Sequence, residues 1–462
     1  MGRSLWLLPL SAGCALLAMP AAAQDDLDAI AERELPSLVA VYKAIHAAPE
    51  LSHHEERTAA LVADELRRLG FVVVEHLGRY ERPEFQGHGV AGVLRNGEGK
   101  VVLIRAELDA LPIEEKTGLP YASKVKVRAG DGRQVGVMHA CGHDVHLTCM
   151  LGLARVLAQG KDRWRGTVVL VGEPAEETLD GVRALLRDDL YGKVPKPDFI
   201  FGVHTIGDLE AGQVAYVPEY AAAASTVVDL TIRGVGGHAS RPHEAKDPVV
   251  IAAQVILALQ TLVSRETSPL DPACITVGTI RGGTKANIIP DEVRLQLSVR
   301  SYKDEVQRRL LKSIERVARG IAQSAGVPED RMPIVKVSEI ETVVATYNDP
   351  ALTERLAGVM TKSLGAERAR KMGPRTAGDD IGYFGLDRQI PICMFLLGAA
   401  DPETARASAG TGRPLPATHS PLYAPPAGAD DPHRGQGPGS RCPGATRRLR
   451  GRQELNSTQE GR

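Results

Sequence analysis

The densest group of side chains that could bind a metal ion lies in residues 139–146, which read HACGHDVH. Cys141 and His143 flank Gly142, so in an extended backbone both side chains would point the same way. A thiolate and imidazoles are ligands that zinc and neighbouring first-row ions accept. Taken alone, however, the Cys-Gly-His piece is slightly better explained as a polar loop with a buried thiol.

A pair of adjacent carboxylates, Glu176 and Glu177, follows Pro174. Such a pair is most often a solvated helix start. Its position after a proline, where an apolar run has just ended, favours a role in chemistry. One carboxylate would bind metal, while the other would take a proton from a metal-bound water and return it to a leaving amine.

Short apolar runs separated by helical stretches must position these side chains. The runs are 101–104, 168–171, 199–203 and 392–397. They predict an α/β fold with a mostly parallel central sheet flanked by helices. The first run leads to Glu107 and Asp109, the second to the glutamate pair, and the third directly to His204. Ligands in open α/β sheets bind beyond the carboxyl ends of the strands, so we expect these side chains to meet at one rim.

The middle of the chain has a different pattern, in which the predicted order is β-α-β-β-α-β, the ferredoxin-like arrangement. Residues 424–462 are rich in Pro, Gly and Arg and predict a disordered tail. We therefore predict a catalytic domain in two parts, an inserted α+β domain and the tail. Their bounds are 24–224 and 341–423 for the catalytic domain, 225–340 for the insert and 424–462 for the tail.

The N-terminus is typical of a signal peptide, with Arg3, an apolar stretch from Leu5 to Met19 and an alanine-rich end. We expect cleavage after Ala23 and export to the periplasm or the medium. The stretch is shorter than the roughly 20 residues of a spanning helix, so no membrane span is expected. Lipid attachment at Cys14 is an alternative, because LSAGC resembles a bacterial lipobox. A formal net charge of -1, with scattered Lys and Arg, argues against nucleic acid as a partner.

Six motifs, in the right order between residues 46 and 423, resemble the amidohydrolase branch of the aminoacylase and carboxypeptidase G metallopeptidases. This branch includes hippurate hydrolases, N-acyl-amino-acid amidohydrolases and plant hydrolases of auxin conjugates. The resemblance implies a di-metal exopeptidase-like catalytic domain and an inserted lid or dimerisation domain. The motifs are HACGHDVH at 139–146, EPAEE at 173–177, GVH at 202–204, GGHASRPH at 236–243, ANIIPD at 286–291 and THSP at 418–421.

The same resemblance assigns roles to individual residues. Five side chains would bind two divalent ions of zinc, manganese or cobalt, with Cys141 as the bridge; these are Cys141, His143, Glu177, His204 and His419. Glu176 would be the general base and acid. Asp109 would support the metal site, although a strand-end turn is nearly as good an explanation.

Two further residues lie in the inserted domain. His238 would steady the tetrahedral oxyanion in the active site of a neighbouring subunit, which requires a homodimer or higher homo-oligomer. Asn287 would hold the acyl or carboxylate end of the substrate.

The implied reaction is hydrolysis of an N-acyl amino acid, such as hippurate, or of a similar small amide. A carboxypeptidase or dipeptidase with the same centre, acting on a small peptide, is an alternative. A non-catalytic exported metal-binding scaffold is another.

The chain departs from the family pattern at several positions. Glu107 stands where relatives commonly carry Asp, Glu173 where they carry Gln, and Asp379-Asp380 where they carry Glu-Asp. These departures predict an altered pocket. The tail replaces a helix that relatives pack on the catalytic domain, which predicts a truncation or shifted reading frame that lowers stability.

Overall fold

The apolar runs form the centre of a ten-stranded sheet in the computed structural model, which describes residues 21–128, 132–411 and 414–427. In chain order the strands are β1 (Val72–Leu77), β2 (Gly89–Asn96), β3 (Val101–Glu107), β4 (Lys126–Arg128), β5 (Gln134–Gly136), β6 (Gly166–Glu173), β7 (Phe199–Glu210), β8 (Val214–Tyr216), β9 (Glu219–Ala222), β10 (Ala224–Arg233), β11 (Gly237–His238), β12 (Ala273–Gly282), β13 (Ile288–Ile289), β14 (Glu292–Ser301), β15 (Ile334–Val343), β16 (Thr346–Asn348), β17 (Ala369–Lys371) and β18 (Ile392–Ala400). The helices are α1 (Ala21–Ala47), α2 (Glu56–Arg68), α3 (His143–Gln159), α4 (Gly181–Arg187), α5 (Leu190–Lys193), α6 (Pro248–Ser264), α7 (Asp304–Ser324), α8 (Pro350–Leu364) and α9 (Pro402–Thr411).

The large sheet is parallel at its centre. Its main order is β1-β2-β6-β3-β7-β18-β16-β9, and the pairs from β6 to β16 are parallel. In β3 and β6, Glu107 and Glu173 are register partners at the carboxyl ends of their strands. The rim expected from the sequence is therefore formed by neighbouring strands.

Side chains of the central strands alternate between two apolar layers. Val168 and Leu170 of β6 pack in the cluster that includes residues of α1, α2 and α3. Val169 and Val171 pack in the cluster that includes residues of α4 and α5. Both faces are covered, which is why β6 is continuously apolar in sequence.

Between β9 and β16 lies a second unit, a four-stranded antiparallel sheet in the order β12-β14-β10-β15. Its core joins Val228 and Leu230 of β10 to α6 and α7. The predicted α/β class with an inserted ferredoxin-like unit is confirmed.

Both predicted terminal segments lie mostly outside the described residues, including residues 1–20 with Cys14, and residues 428–462. At the C-terminal end of the described residues, Tyr423 and Pro425 are buried, and the hydroxyl of Tyr42 donates to the carbonyl oxygen of Pro425 at 3.1 Å. The packed chain thus continues past the boundary predicted at Ala424. Among the described helices, none has the length and apolar character needed to cross a bilayer.

Candidate metal centre

Cys141 and His143 are placed by a tight turn, which corrects the extended arrangement predicted from their spacing. Gly142 has φ +84°, and His143 is already the first residue of α3. A Cβ at Gly142 would lie 2.2 Å from Oγ1 of Thr205, so both the backbone and the space require glycine. The turn puts the thiol and the imidazole beside the end of β7.

The five predicted ligands lie together. Cys141 Sγ is 3.4 Å from Nε2 of His204, and Nε2 of His419 is 3.4 Å from Oε2 of Glu177. Nε2 of His143 is 3.8 Å from Oε1 of Glu177. Two groups of possible ligand atoms, each within 4.8 Å of one another, share Cys141; they are Cys141 with His143 and His204, and Cys141 with Glu177 and His419. The sulfur atom of Cys141 is thus common to both groups, which is the position that the predicted bridge requires.

Hydrogen bonds to the backbone fix which nitrogen of each histidine can bind a cation. Nδ1 of His143 donates to the carbonyl oxygen of Asp109 at 2.8 Å, and Nδ1 of His204 donates to that of Thr205 at 2.8 Å. Each Nε2 therefore faces the cluster and is the nitrogen left to bind a cation, as in a typical metal-binding histidine. His419 is held by a hydrogen bond from its backbone N–H to the carbonyl oxygen of Ala140, at 2.7 Å.

Asp109 supports two of these residues from behind. Its Oδ2 accepts from the N–H of Glu177 at 3.0 Å and from the hydroxyl of Ser52 at 2.6 Å. Its Oδ1 lies 3.3 Å from Nδ1 of His143. The carboxylate is fully buried and belongs to none of the groups of possible ligand atoms among the described residues, which suits a residue that orients ligands.

The donor set fits divalent cations. Nε2 of His143 and Oε1 of Glu177 are buried without a hydrogen-bond partner among the described residues. Burial lowers the pKa of His143, but the carboxylates of Asp109, Glu107 and Glu177 outweigh it and raise the value to about 10. Burial, with His146 beside it, lowers the pKa of His204 to about 4 and keeps it neutral. The carboxylates that hold a proton on His143 would equally favour a divalent cation, which would take the place of that proton at Nε2.

Glu176 lies next to the predicted ligands and is not one of the five. Its Oε2 is 3.6 Å from Nε2 of His143, and the side chain is buried. Burial and the neighbouring carboxylates of Asp379 and Glu177 raise its pKa. It belongs to neither of the two groups that share Cys141, but it shares other groups of possible ligand atoms with His143 and Glu177 and with Asp379 and Asp380.

A network behind the ligands was not assigned from the sequence. Oε2 of Glu107 accepts from Nδ1 of His146 at 2.7 Å, and Nε2 of His146 accepts from the N–H of Thr205 at 2.8 Å. The carbonyl of Thr205 in turn fixes His204, so the chain of bonds ends at a ligand.

This network begins at Arg105, a fully buried guanidinium that forms ion pairs with four carboxylates: Glu107, Glu173, Asp379 and Asp380. Three of the four, Glu107, Glu173 and Asp379, are positions at which a departure from the family pattern is expected from the sequence. A lone arginine within an apolar strand was the signal in the sequence, since a buried cation needs anionic partners.

His238 lies on β11 and Asn287 directly precedes β13, and neither belongs to a group of possible ligand atoms among the described residues. The N–H of Ala239 donates to the carbonyl oxygen of Asn287 at 3.1 Å, so the two predicted residues are neighbours. Both are exposed. Within the described parts of the chain, the side chain of His238 contacts only Ser240 by hydrogen bonds.

A cavity of about 450 Å³ opens beside the cluster, with His204 and Asp379 in its wall. Much of its lining is apolar and includes Met394 and Leu396. Arg375 also lines it, paired with Asp208 at 3.0 Å. A small organic group can therefore lie next to the ligands.

Comparison with known proteins identifies the family. Residues 103–409 match the model for Peptidase family M20/M25/M40. The chain belongs to this family. It is 34% identical over 344 residues to the hippurate hydrolase of Campylobacter jejuni, which covers 74% of this chain and 82% of the relative. It is also 34% identical over 327 residues to thermostable carboxypeptidase 1 of Saccharolobus solfataricus, 70% of this chain and 77% of that relative.

A solved M20 structure also matches. The Bacillus subtilis YXEP protein, a dinuclear metal-binding peptidase from the M20 family, is 26% identical with a TM-score of 0.66, and the match covers 87% of this chain and 94% of that chain. The resemblance seen in the sequence is confirmed. The M20 chain is a metal-dependent hydrolase of C–N bonds, and its ligand groups support two divalent ions.

Proposed function

We propose that this M20 protein hydrolyses the amide bond of N-acyl amino acids that carry an apolar acyl group. The observation that carries the proposal is the position of Glu176, a buried carboxylate whose Oε2 lies 3.6 Å from Nε2 of His143, next to the two ligand groups that share Cys141. The hippurate hydrolase among the relatives supports the substrate class.

The chain's own residues account for proton transfer. Two divalent ions, when held by the five ligands, would polarise the amide carbonyl and lower the pKa of a water molecule. Glu176 accepts the proton of that water and delivers it to the nitrogen of the leaving amine. Asp109 holds the N–H of Glu177 and so fixes the backbone next to Glu176 while the proton moves.

The cavity supports an uncharged acyl group. The carboxylates that line it, Asp208 and Asp379, are already paired with Arg375 and Arg105. Neither is free to hold the ammonium of an unblocked peptide. This observation favours N-acyl amino acids over dipeptides.

His238 extends the proposal to a dimer. Its Nδ1 accepts from the N–H of Ser240 at 3.1 Å, so its proton sits on Nε2, which is the donor that an oxyanion needs. Since the ring is exposed on β11, we propose that it serves the site of a second copy of this chain, with Asn287 beside it at the substrate. We also propose export through the N-terminal leader, and zinc, manganese or cobalt as the native ions.

The test is a substrate panel with chelation. Hippurate and other N-aroyl amino acids are expected to exceed N-acetyl amino acids and unblocked dipeptides in kcat/KM by about tenfold or more, since each buried CH₂ contributes about 0.8 kcal/mol. A divalent chelator should abolish the activity, and added metal should restore it.

Two results would contradict the proposal. Preference for unblocked dipeptides would favour the carboxypeptidase or dipeptidase alternative. Metal binding without hydrolysis of any member of the panel would favour the non-catalytic scaffold.

A further inference from the structure

Glu55 is a buried carboxyl group outside the metal centre that directly contacts the loop carrying Glu176. It is fully buried, and it belongs to none of the groups of possible metal ligands among the described residues. It precedes α2, yet its side chain accepts no hydrogen bond from the first turn of that helix. Helix capping therefore does not explain it.

The two hydrogen bonds of Glu55 go to unusual backbone positions. Oε1 accepts from the N–H of His53 at 2.9 Å and from the N–H of Ala175 at 2.7 Å. His53 has φ +67° and Ala175 has φ +54°. Both are non-glycine residues in the left-handed region, which costs free energy and persists only where the surroundings hold it.

Ala175 directly precedes Glu176, so its conformation sets the direction in which the Glu176 side chain leaves the backbone. The short loop from Pro174 to Asp180 also carries Glu177. A Cβ at Gly181 would lie 1.9 Å from the carbonyl oxygen of Pro174, which shows how tightly this loop closes.

Residues near Glu55 hold the same loop at two more points. The hydroxyl of Ser52 donates to Asp109, which accepts from the N–H of Glu177. Nε2 of His53 lies 3.2 Å from the carboxylate of Asp180 at the far end of the loop. Residues 52–55 thus contact the loop directly at Ala175 and Asp180, and reach Glu177 through Asp109.

We propose that Glu55 is a positioning residue for the general base. Its carboxyl oxygen holds Ala175 in the left-handed region and thereby orients the Glu176 side chain towards the water to be deprotonated. The inference rests on the proposed function. Glu55 neither binds metal nor exchanges a proton with the substrate. Burial and the nearby Asp109 carboxylate raise the pKa of Glu55 to about 8, in keeping with an acceptor that needs no negative charge.

The test compares three substitutions with a control in the same segment of chain. Glu55→Leu removes the acceptor, and kcat for hippurate is expected to fall about 100-fold, the effect of a misplacement of about 1 Å, with KM within about threefold. Two metal ions per chain should remain. Glu55→Gln keeps an acceptor oxygen and should recover at least about tenfold of that loss.

The control is Glu50, whose carboxylate accepts from Thr58 and Arg57 on α2 and does not touch the loop. Glu50→Gln is expected to leave kcat within about threefold of the original chain. Glu55→Asp withdraws the oxygen by one CH₂ and carries the test if Glu55→Leu does not fold. A tenfold loss of kcat in Glu55→Asp would support the proposal, and an unchanged kcat would overturn it.

Crystal structures give a readout that does not depend on which amide is hydrolysed. Ala175 should leave the left-handed region in Glu55→Leu, or in Glu55→Asp if the leucine variant does not fold, and remain there in Glu55→Gln. An unmoved Ala175 in the variant that lacks the contact, loss of metal in any Glu55 variant, or a glutamine variant no better than leucine would overturn the inference. A failed substrate panel with a displaced Ala175 would contradict only the proposed function.

Discussion

Glu176→Gln is expected to lower kcat by about 10² to 10⁴, the usual contribution of general acid and base catalysis, while KM and metal content stay near their original values. Glutamine keeps the shape of the side chain but cannot take a proton. Because Glu176 lies outside the two ligand groups that share Cys141, its substitution should not release an ion. Steady-state kinetics and elemental analysis of the same sample check both expectations.

The adjacent carboxylate is the matched control. Glu177 lies 3.4 Å from Nε2 of His419 and shares a ligand group with Cys141, so Glu177→Gln should lose metal as well as activity. Substantial turnover in Glu176→Gln, or equal metal loss in both variants, would contradict the division of labour between the two residues.

Arg105→Met is expected to destabilise the fold by about 3 to 5 kcal/mol, the usual cost of removing one partner from a buried ion pair. Arg105 is the buried cation that pairs with all four carboxylates of its cluster. Without it, Glu107 would also lose the partner that fixes it against His146, so activity should fall along with the thermal midpoint. Arg105→Lys keeps the charge but not the planar guanidinium group, so its stability should lie between that of the methionine variant and that of the original chain. A methionine variant as stable as the original chain would contradict this account.

Within the same cluster, Glu173→Gln should have the opposite effect. Burial raises the pKa of Glu173 above its ordinary value, and the opposing effect of Arg105 does not cancel the rise. A carboxyl group with a raised folded pKa contributes fully below its unfolded pKa, and that stability is lost as pH rises through the folded value. Glutamine resembles the protonated form, so the variant should match the original chain in acid and exceed it in thermal midpoint towards neutral and alkaline pH.

The sequence predicted the rim of the sheet because its physical basis is local. Continuous apolar runs mark strands covered on both faces, and the polar residues that follow them must lie at the carboxyl ends. Glu107, Glu176 and His204 could therefore be brought together before any contact was known. The ligand types were also readable, since few side chains bind first-row ions.

Other features depend on contacts between distant segments, and the sequence did not show them. The turn at Gly142 was predicted as extended. The residue that leaves no room for a side chain at this position is Thr205, more than sixty residues away in the sequence. The contact of Glu55 with Ala175 has no periodic signal at all. Arg105 could be suspected from its apolar strand, but its partners on a turn near Asp379 could not.

Metal content tests the central claim most directly, namely that five side chains hold two divalent ions around one shared thiolate. The purified chain should contain two ions per molecule by elemental analysis, and Cys141→Ala should contain one or none, because Sγ is common to both ligand groups. Two ions per molecule in Cys141→Ala, or none in the original chain after incubation with zinc or manganese, would contradict the account.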